Sequence, residues 1–98
     1  MVRHIVAWKH KAELSDSQKQ EHALKIKAEL EALPQIIDGI IELNVYTPLQ
    51  SNDWDLLLNS LFESEEALAA YQIHPEHKKV SAFVRSVIQE RACIDYNE

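Results

Sequence analysis

Four short stretches of the chain combine β-branched, aromatic and leucine side chains, and such stretches predict β-strands. They cover residues 2–9, 40–46, 54–62 and 91–96. The polar segment 47–52 lies between the second and third stretches and is rich in turn-forming residues. We therefore expect those two strands to form a hairpin.

Between the strands, apolar residues recur every three or four positions, which predicts helices. Ser15 and Gln18 have capping-box spacing, and Pro34 cannot continue the helix that they begin. Ser64 and the two glutamates behind it predict a short helix that runs to about residue 72. The first helix places its apolar stripe on Ala23, Ile26, Leu30 and Leu33, and a third helix places one on Val80, Phe83, Val84, Val87 and Ile88.

The predicted order is strand, helix, strand, strand, helix pair, strand. This order indicates an α+β fold of the ferredoxin-like βαββαβ type, with a four-stranded antiparallel sheet and helices on one face. A chain of 98 residues has room for one hydrophobic core. We expect residues 1–98 to form a single domain.

Two of the predicted strands are apolar on both faces. Ile5 lies opposite Val6 and Trp8 in the first strand, while Leu57 and Leu61 lie opposite the remaining leucines of the third. A sheet face exposed to water would alternate apolar with polar residues. We therefore expect a second copy of the chain to cover this face, which gives a homodimeric α+β barrel with a two-fold interface.

Composition narrows the choice of partners and compartments. The chain has 16 acidic and 10 basic residues, and its formal charge of -6 disfavours nucleic acids and anionic membranes. Cys93, the only cysteine, cannot form an internal disulfide and is expected to be a buried, inert thiol. No stretch approaches a membrane span or a signal-peptide core, so we expect a cytoplasmic protein.

Residues 71–77 read Tyr-Gln-Ile-His-Pro-Glu-His and crowd a phenol and two imidazoles around a proline. Pro75 ends one helix and opens another, so His74 lies in the break and His77 in the next first turn. A helix N-terminus favours the neutral imidazole. A neutral histidine can remove a proton next to a carbonyl, and a phenol can hydrogen-bond the resulting enolate oxygen.

Five segments carry a resemblance to a known family. They are the opening Arg3-His4-Ile5-Val6, the helix end Leu33-Pro34, the Phe62-Glu63-Ser64 step, the corner at 71–77 and the closing Asp95-Tyr96. Together they resemble the stress-responsive α/β barrel (Dabb) family of the dimeric α+β barrel superfamily. The resemblance implies a homodimeric barrel and leaves the reaction unassigned, because most members have none.

One plant member of that family is a polyketide cyclase that performs an intramolecular aldol condensation with a tyrosine and a histidine at this corner. By resemblance, Tyr71 and His77 are the catalytic residues here, and no cofactor is needed. The resemblance implies a cavity whose substrate-binding residues are His4, Val6, Trp8, His74 and Val80.

Two departures from the cyclase leave a second hypothesis open. Leu56 stands where the cyclase has a polar ring, and Trp8 replaces a smaller aliphatic residue and could fill the cavity. The corner would then be architectural, with His74 capping a helix and Tyr71 packing its ring. An open cavity bordered by Tyr71 and His77 favours a cyclase-like lyase, whereas a cavity filled by Trp8 favours a structural protein or a binder of a small hydrophobic or carbonyl ligand.

Other candidate sites are weaker. His4, His74, Glu76 and His77 offer metal-binding donors, but their spacing is poor and we predict no metal. His4 lies on an apolar strand face, where a core histidine satisfied by a neighbouring oxygen is the simplest interpretation. Arg85 is expected to form an ion pair near the rim of the dimer.

Overall fold

The predicted order of elements is confirmed by a computed structural model, which describes residues 1–98. Three helices and a 3-10 turn pack on an antiparallel sheet with the strand order β2-β3-β1-β4. The elements are β1 (Val2–His10), α1 (Asp16–Glu31), the 3-10 turn (Leu33–Gln35), β2 (Ile40–Tyr46), β3 (Leu56–Phe62), α2 (Glu65–Ile73), α3 (Pro75–Val87) and β4 (Ile88–Asn97).

Strict alternation along β1 separates the two faces of the sheet. Its even-numbered residues are buried under the helices, and its odd-numbered residues are half-buried on the other face. Leu58 of β3 pairs with Val6 and faces the helices with it. The core between the sheet and the helices contains Ile26 and Leu30 of α1 among its most buried residues.

Each helix begins at a side-chain cap. Ser15 and Gln18 form the expected capping box, in which each side-chain oxygen accepts the other residue's backbone N–H. The Ser64 hydroxyl accepts the N–H of Ala67 at the start of α2. These caps satisfy amides that would otherwise lack a partner in the first turn. None of the helices is both long and apolar enough to cross a membrane.

Three predicted boundaries are wrong by a few residues. The helix α1 ends at Glu31, and Pro34 lies within the following 3-10 turn. The strand β3 begins at Leu56, where its pairing with β1 begins, so the predicted start at residue 54 is two residues early. Ile88 belongs to β4 because it pairs with His10 of β1, and pairing between strands overrides its helical spacing.

Gly39 leads the chain into β2 and cannot be replaced freely. Its φ is +90°, a region that other residues rarely adopt. A Cβ atom at this position would lie 2.7 Å from Cβ of Ala67. The glycine therefore allows both the turn and the close approach of α2.

The face of the sheet opposite the helices is apolar, as its alternation predicts. This open face carries Ile5, Ala7, Leu57 and Leu61 on its two central strands, with Ile94 of β4 64% exposed beside them. No element of the chain packs over it.

One charged network crosses the open face. The Arg3 guanidinium contacts carboxylate oxygens of Glu42 at 2.7 Å and Glu98 at 2.8 Å, and it also donates to Asn59. The guanidinium donates hydrogen bonds to the carboxylates of Glu98 and Glu42, and these bonds raise the pKa of Arg3. The guanidinium is therefore fully partnered within its own chain.

Candidate functional site

A cavity of about 390 Å³ lies between the sheet and the helices. Trp8 forms part of its wall and leaves the space open. The structure therefore does not support the hypothesis that this ring fills the cavity. The wall consists of His4, Val6, Trp8, Leu30, Leu58, Tyr71, Gln72, His77, Ser81, Val84, Arg85 and Arg91.

Tyr71 and His77 meet at this cavity across the proline corner. Their ring centroids lie 4.2 Å apart with the planes tilted by 44°. Tyr71 also packs on Phe62 and is only 1% exposed, yet its hydroxyl has no hydrogen-bond partner within the chain. Burial raises the pKa of Tyr71, and Arg91 only partly opposes this shift. The phenol therefore remains protonated and free to donate.

The His77 ring is held by the helix that precedes it. Its Nδ1 lies 3.2 Å from the backbone oxygen of Gln72, in the last turn of α2, where carbonyls have no intrahelical partner. A carbonyl oxygen can only accept, so Nδ1 carries the proton and Nε2 of the neutral ring has a free lone pair. Histidine at this position can therefore act as a base.

The electrostatic surroundings also favour neutral His77. Burial lowers its pKa and the bond to Gln72 acts in the opposite direction, while the nearby positive charges of Arg91 and Arg85 lower it further. His77 also lies in the first turn of α3. The N-terminus of a helix disfavours added positive charge, as the sequence suggested, so this position favours the neutral imidazole too. Neutral imidazole is the form that accepts a proton.

His4 is oriented by a carboxylate that the sequence analysis did not identify as part of the site. Its Nδ1 lies 2.5 Å from Oδ1 of Asp95, the residue opposite it on β4. The ring also makes edge contacts with Phe62 and Tyr71 at 6.1 and 6.3 Å between centroids. His4 is thus a satisfied histidine that also lines the cavity, and only the register of β1 on β4 would have revealed its partner.

Cys93 is exposed, so the expectation of a buried thiol is wrong. The edge strand β4 pairs only with β1, and the helices do not cover its side chains. The Sγ atom lies 3.7 Å from Nδ1 of His4 and 3.6 Å from Oδ1 of Asp95. Partial burial and the Asp95 carboxylate raise the pKa of the thiol, so it stays protonated.

Two sets of donors bear on metal binding. Atoms of His4, Cys93 and Asp95 lie within 4.8 Å of one another, but the imidazole and the carboxylate already bond each other. The set considered from sequence is dispersed, because Nδ1 of His74 accepts a helix N–H and Nδ1 of His77 binds a carbonyl. Neither set presents a group of free donors.

Two residues predicted to bind substrate lie outside the cavity wall. His74 is the N-cap of α3, where its Nδ1 accepts the N–H of Glu76 at 3.1 Å. Val80 is 5% exposed and packs in the core. Leu56 also lies outside the wall, and Leu58 contributes there instead. The resemblance assigned His74 and Val80 to the cavity, but their side chains face other neighbours.

Two arginines belong to the wall although the sequence analysis did not predict them there. Arg85 projects from α3 and Arg91 from β4. Neither guanidinium lies within 4.0 Å of a carboxylate oxygen of its own chain, and the ion pair expected for Arg85 at the rim of the dimer stays a prediction. The two arginines meet at the cavity because β4 pairs with β1, which places Arg91 opposite Trp8.

Comparison with known proteins shows which family the chain belongs to. The family model of the stress responsive A/B barrel domain (Dabb) matches residues 2–98. The chain belongs to this family. No curated protein matches the Dabb chain significantly.

Solved structures share its fold. A dimeric protein of unknown function with a ferredoxin-like fold from Bacteroides fragilis is 28% identical to the Dabb chain, with 99% and 95% of the two chains covered and a TM-score of 0.93. A Dabb family protein from Mesorhizobium loti is 22% identical, with 99% and 95% covered and a TM-score of 0.73. The hydroxynitrile lyase of Passiflora edulis is 21% identical, with 97% and 90% covered and a TM-score of 0.80. The last two show the fold alone.

Proposed function

We propose that this Dabb chain is an acid–base enzyme that acts on a carbonyl compound, with His77 as the base and Tyr71 as the hydrogen-bond donor. One observation carries the proposal. Nε2 of His77 and the hydroxyl of Tyr71 have no partner within the chain, and both residues line the same open cavity. A donor and an acceptor left free at a cavity are available to a ligand.

The proposed step needs only these side chains. Nε2 of His77 takes a proton from the carbon next to a carbonyl, and the electron pair moves onto the carbonyl oxygen. The Tyr71 hydroxyl donates to that oxygen and stabilises the enolate. The enolate carbon then bonds to a second carbonyl carbon, whose oxygen takes the proton from His77. This sequence is an aldol addition, and its reversal would be a lyase reaction.

The remaining wall suits the organic part of such a compound. Val6 and Trp8 provide apolar contacts on β1, and His4 is held in one orientation by Asp95. Apolar residues combined with fixed polar groups are typical of small-molecule sites. We assign His4, Val6 and Trp8 to substrate binding.

We also propose that the protein is a homodimer through the open face of the sheet. The apolar residues Ile5, Leu57 and Ile94 lie on that face, and no helix or strand of their own chain packs over it. The similar Bacteroides fragilis protein is described as dimeric. A second copy would remove this apolar surface from water.

We also propose a compartment and a domain organisation. We place the protein in the cytoplasm because its only cysteine, Cys93, is a free thiol. We treat residues 1–98 as one domain because every strand belongs to a single sheet.

Ligand binding without turnover is the second candidate function. Half of the residues in the cavity wall are hydrophobic, 6 of 12, which suits a hydrophobic or carbonyl ligand whether or not it reacts. In that case replacing His77 would change affinity without changing any reaction rate.

A linear tetraketide thioester tests the proposal. We expect the protein to form an aldol-cyclised ring product above the spontaneous background. Loss of a general base typically lowers a rate by about 10²–10⁴, so His77→Gln should fall in that range. Tyr71→Phe removes only the donor and should lower the rate by about 10² or more.

His22→Gln is the matched control, because His22 packs on Phe83 and does not line the cavity. It should retain the wild-type rate. Formation of no product above background, or equal rates for His77→Gln and wild type, would contradict the proposal.

A further inference from the structure

The cavity wall is positively charged in a chain whose formal charge is -6. It contains Arg85 and Arg91 but no aspartate or glutamate. The third arginine of the chain, Arg3, binds two carboxylates on the other face of the sheet. Of the three arginines, only the two in the cavity wall lack a carboxylate partner within the chain. A guanidinium is suited to bind a planar or tetrahedral oxyanion.

The spacing between these arginines and His77 makes the cavity site elongated. His77, Ser81 and Arg85 are spaced by four residues along α3, so they share one face of the helix. Eight residues of helix correspond to about 12 Å. Arg91 joins this face from β4, where it pairs with Trp8.

The charges of both arginines reach the reacting groups. Each lowers the pKa of His77, and Arg91 also acts on Tyr71. They are therefore close enough to influence a molecule bound beside those two rings.

We infer that the cavity takes an elongated organic anion, whose oxyanion binds Arg85 and Arg91 while its apolar chain lies along Val6 and Trp8. This inference deepens the proposed function, on which it rests, by naming the substrate class for the same cavity. The carbonyl that reaches His77 lies several carbon atoms from the oxyanion, because the helix separates the two groups by two turns. The oxyanion is a carboxylate or a phosphate ester.

Octanoate, octyl phosphate and 1-octanol are the probes, since they share a chain and differ in charge. The experiment uses a Trp54→Phe background, in which Trp8 in the cavity wall is the only tryptophan and reports binding by its fluorescence. At least one anion should bind roughly tenfold or more tightly than 1-octanol. Tighter binding of octanoate assigns a carboxylate, and tighter binding of octyl phosphate assigns a phosphate ester.

Arg85→Gln and Arg91→Gln should each weaken binding of the preferred anion by roughly tenfold and leave 1-octanol unchanged. Lys78→Gln is the matched control, because it removes one charge from an exposed position of the same helix outside the cavity. Equal binding of the anions and 1-octanol would overturn the inference. An equal loss in Lys78→Gln and Arg85→Gln would do so too, because it would indicate general attraction rather than a site.

The two proposals fail in different ways. Anion binding that persists in His77→Gln, together with no turnover of the tetraketide, would reject the proposed reaction and keep the anion site. Turnover that is unchanged in Arg85→Gln and Arg91→Gln, together with no preference for anions, would reject the anion site alone.

Discussion

The ring centroids of Tyr71 and His77 lie 4.2 Å apart at the cavity. The pKa values of the two residues shift in opposite directions. Burial raises the pKa of Tyr71 above its ordinary value of 10.0 and lowers the pKa of His77 below its ordinary value of 6.5. A neutral donor and a neutral acceptor therefore coexist across the whole interval between these values. The opposite shifts therefore predict a particular dependence of activity on pH.

We expect the rate of the proposed reaction to fall only below pH 6.5, as His77 takes up a proton and loses its free lone pair. Tyr71 should cause no loss on the alkaline side below pH 10, because its pKa is raised. The measurement is kcat/KM against pH with the tetraketide thioester. A half-maximal rate above pH 7 on the acid side would show that His77 is not the base.

Acid should also destabilise the fold through His10. This residue is 6% exposed, its Nδ1 has no partner, and burial lowers its pKa despite the opposing charge of Asp55. Between the lowered folded value and the unfolded value near 6.5, the unfolded chain binds more protons. Stability is therefore complete above pH 6.5 and is lost as the pH falls through this window.

Urea unfolding of wild type and His10→Gln from pH 7 to pH 5 measures this effect. The free energy of unfolding should decrease less steeply with acid in the variant, whatever its value at pH 7. Lys78→Gln, an exposed replacement on α3, should keep the wild-type slope. The same slope in all three proteins would contradict the role of His10.

His74 should matter for stability rather than for binding. Because its Nδ1 caps α3, His74→Ala should lower the free energy of unfolding by about 1 kcal/mol. His74→Asn supplies a capping oxygen in place of Nδ1 and should recover most of that loss. Thermal unfolding measures the difference, and octanoate affinity should be equal in both variants, since the residue does not line the cavity.

Gly39→Ala should be strongly destabilising for two separate reasons. A positive φ costs a non-glycine residue about 1–2 kcal/mol, and the new Cβ would lie 2.7 Å from Cβ of Ala67. Ala67→Gly removes that contact at a helix cost of about 1 kcal/mol. Chemical unfolding of both single variants and the double variant should show that the double loses less than the sum. Strict additivity would mean that the contact contributes nothing.

Ile94→Glu should convert the proposed dimer into a folded monomer. Ile94 is 64% exposed on the open face, so the charge costs the isolated subunit little but cannot be buried between two sheets. Leu24→Glu is the control, because Leu24 is 68% exposed on α1, away from that face. Sedimentation velocity at micromolar concentration should give a dimer for wild type and the control. A folded wild-type monomer would reject the dimer.

Local signals were sufficient for most of the fold. Ser15, Ser64 and Pro75 mark helix starts through hydrogen bonds and ring geometry that involve only neighbouring residues. Ile88 shows the limit of such signals, because its helical spacing lost to a strand partner far along the chain. Boundaries were wrong where a distant strand, rather than the next few residues, determined the hydrogen bonds.

The candidate site was only partly predictable for the same reason. The corner brings Tyr71 close to His77 through a local chain reversal. In contrast, Asp95 reaches His4 across 91 positions of sequence, and Arg91 reaches the cavity because β4 returns beside β1. No periodicity within either segment encodes that register.

The sequence by itself determined the order of the elements, the two apolar faces of the sheet and the position of the corner, because these depend on spacing and on proline and serine geometry. Only the tertiary structure decided that Trp8 leaves a cavity open, that His74 turns away from it and that Arg85 and Arg91 converge on it. Packing and strand register set those outcomes. They arise from contacts between residues far apart in the chain, whose distances no local pattern contains.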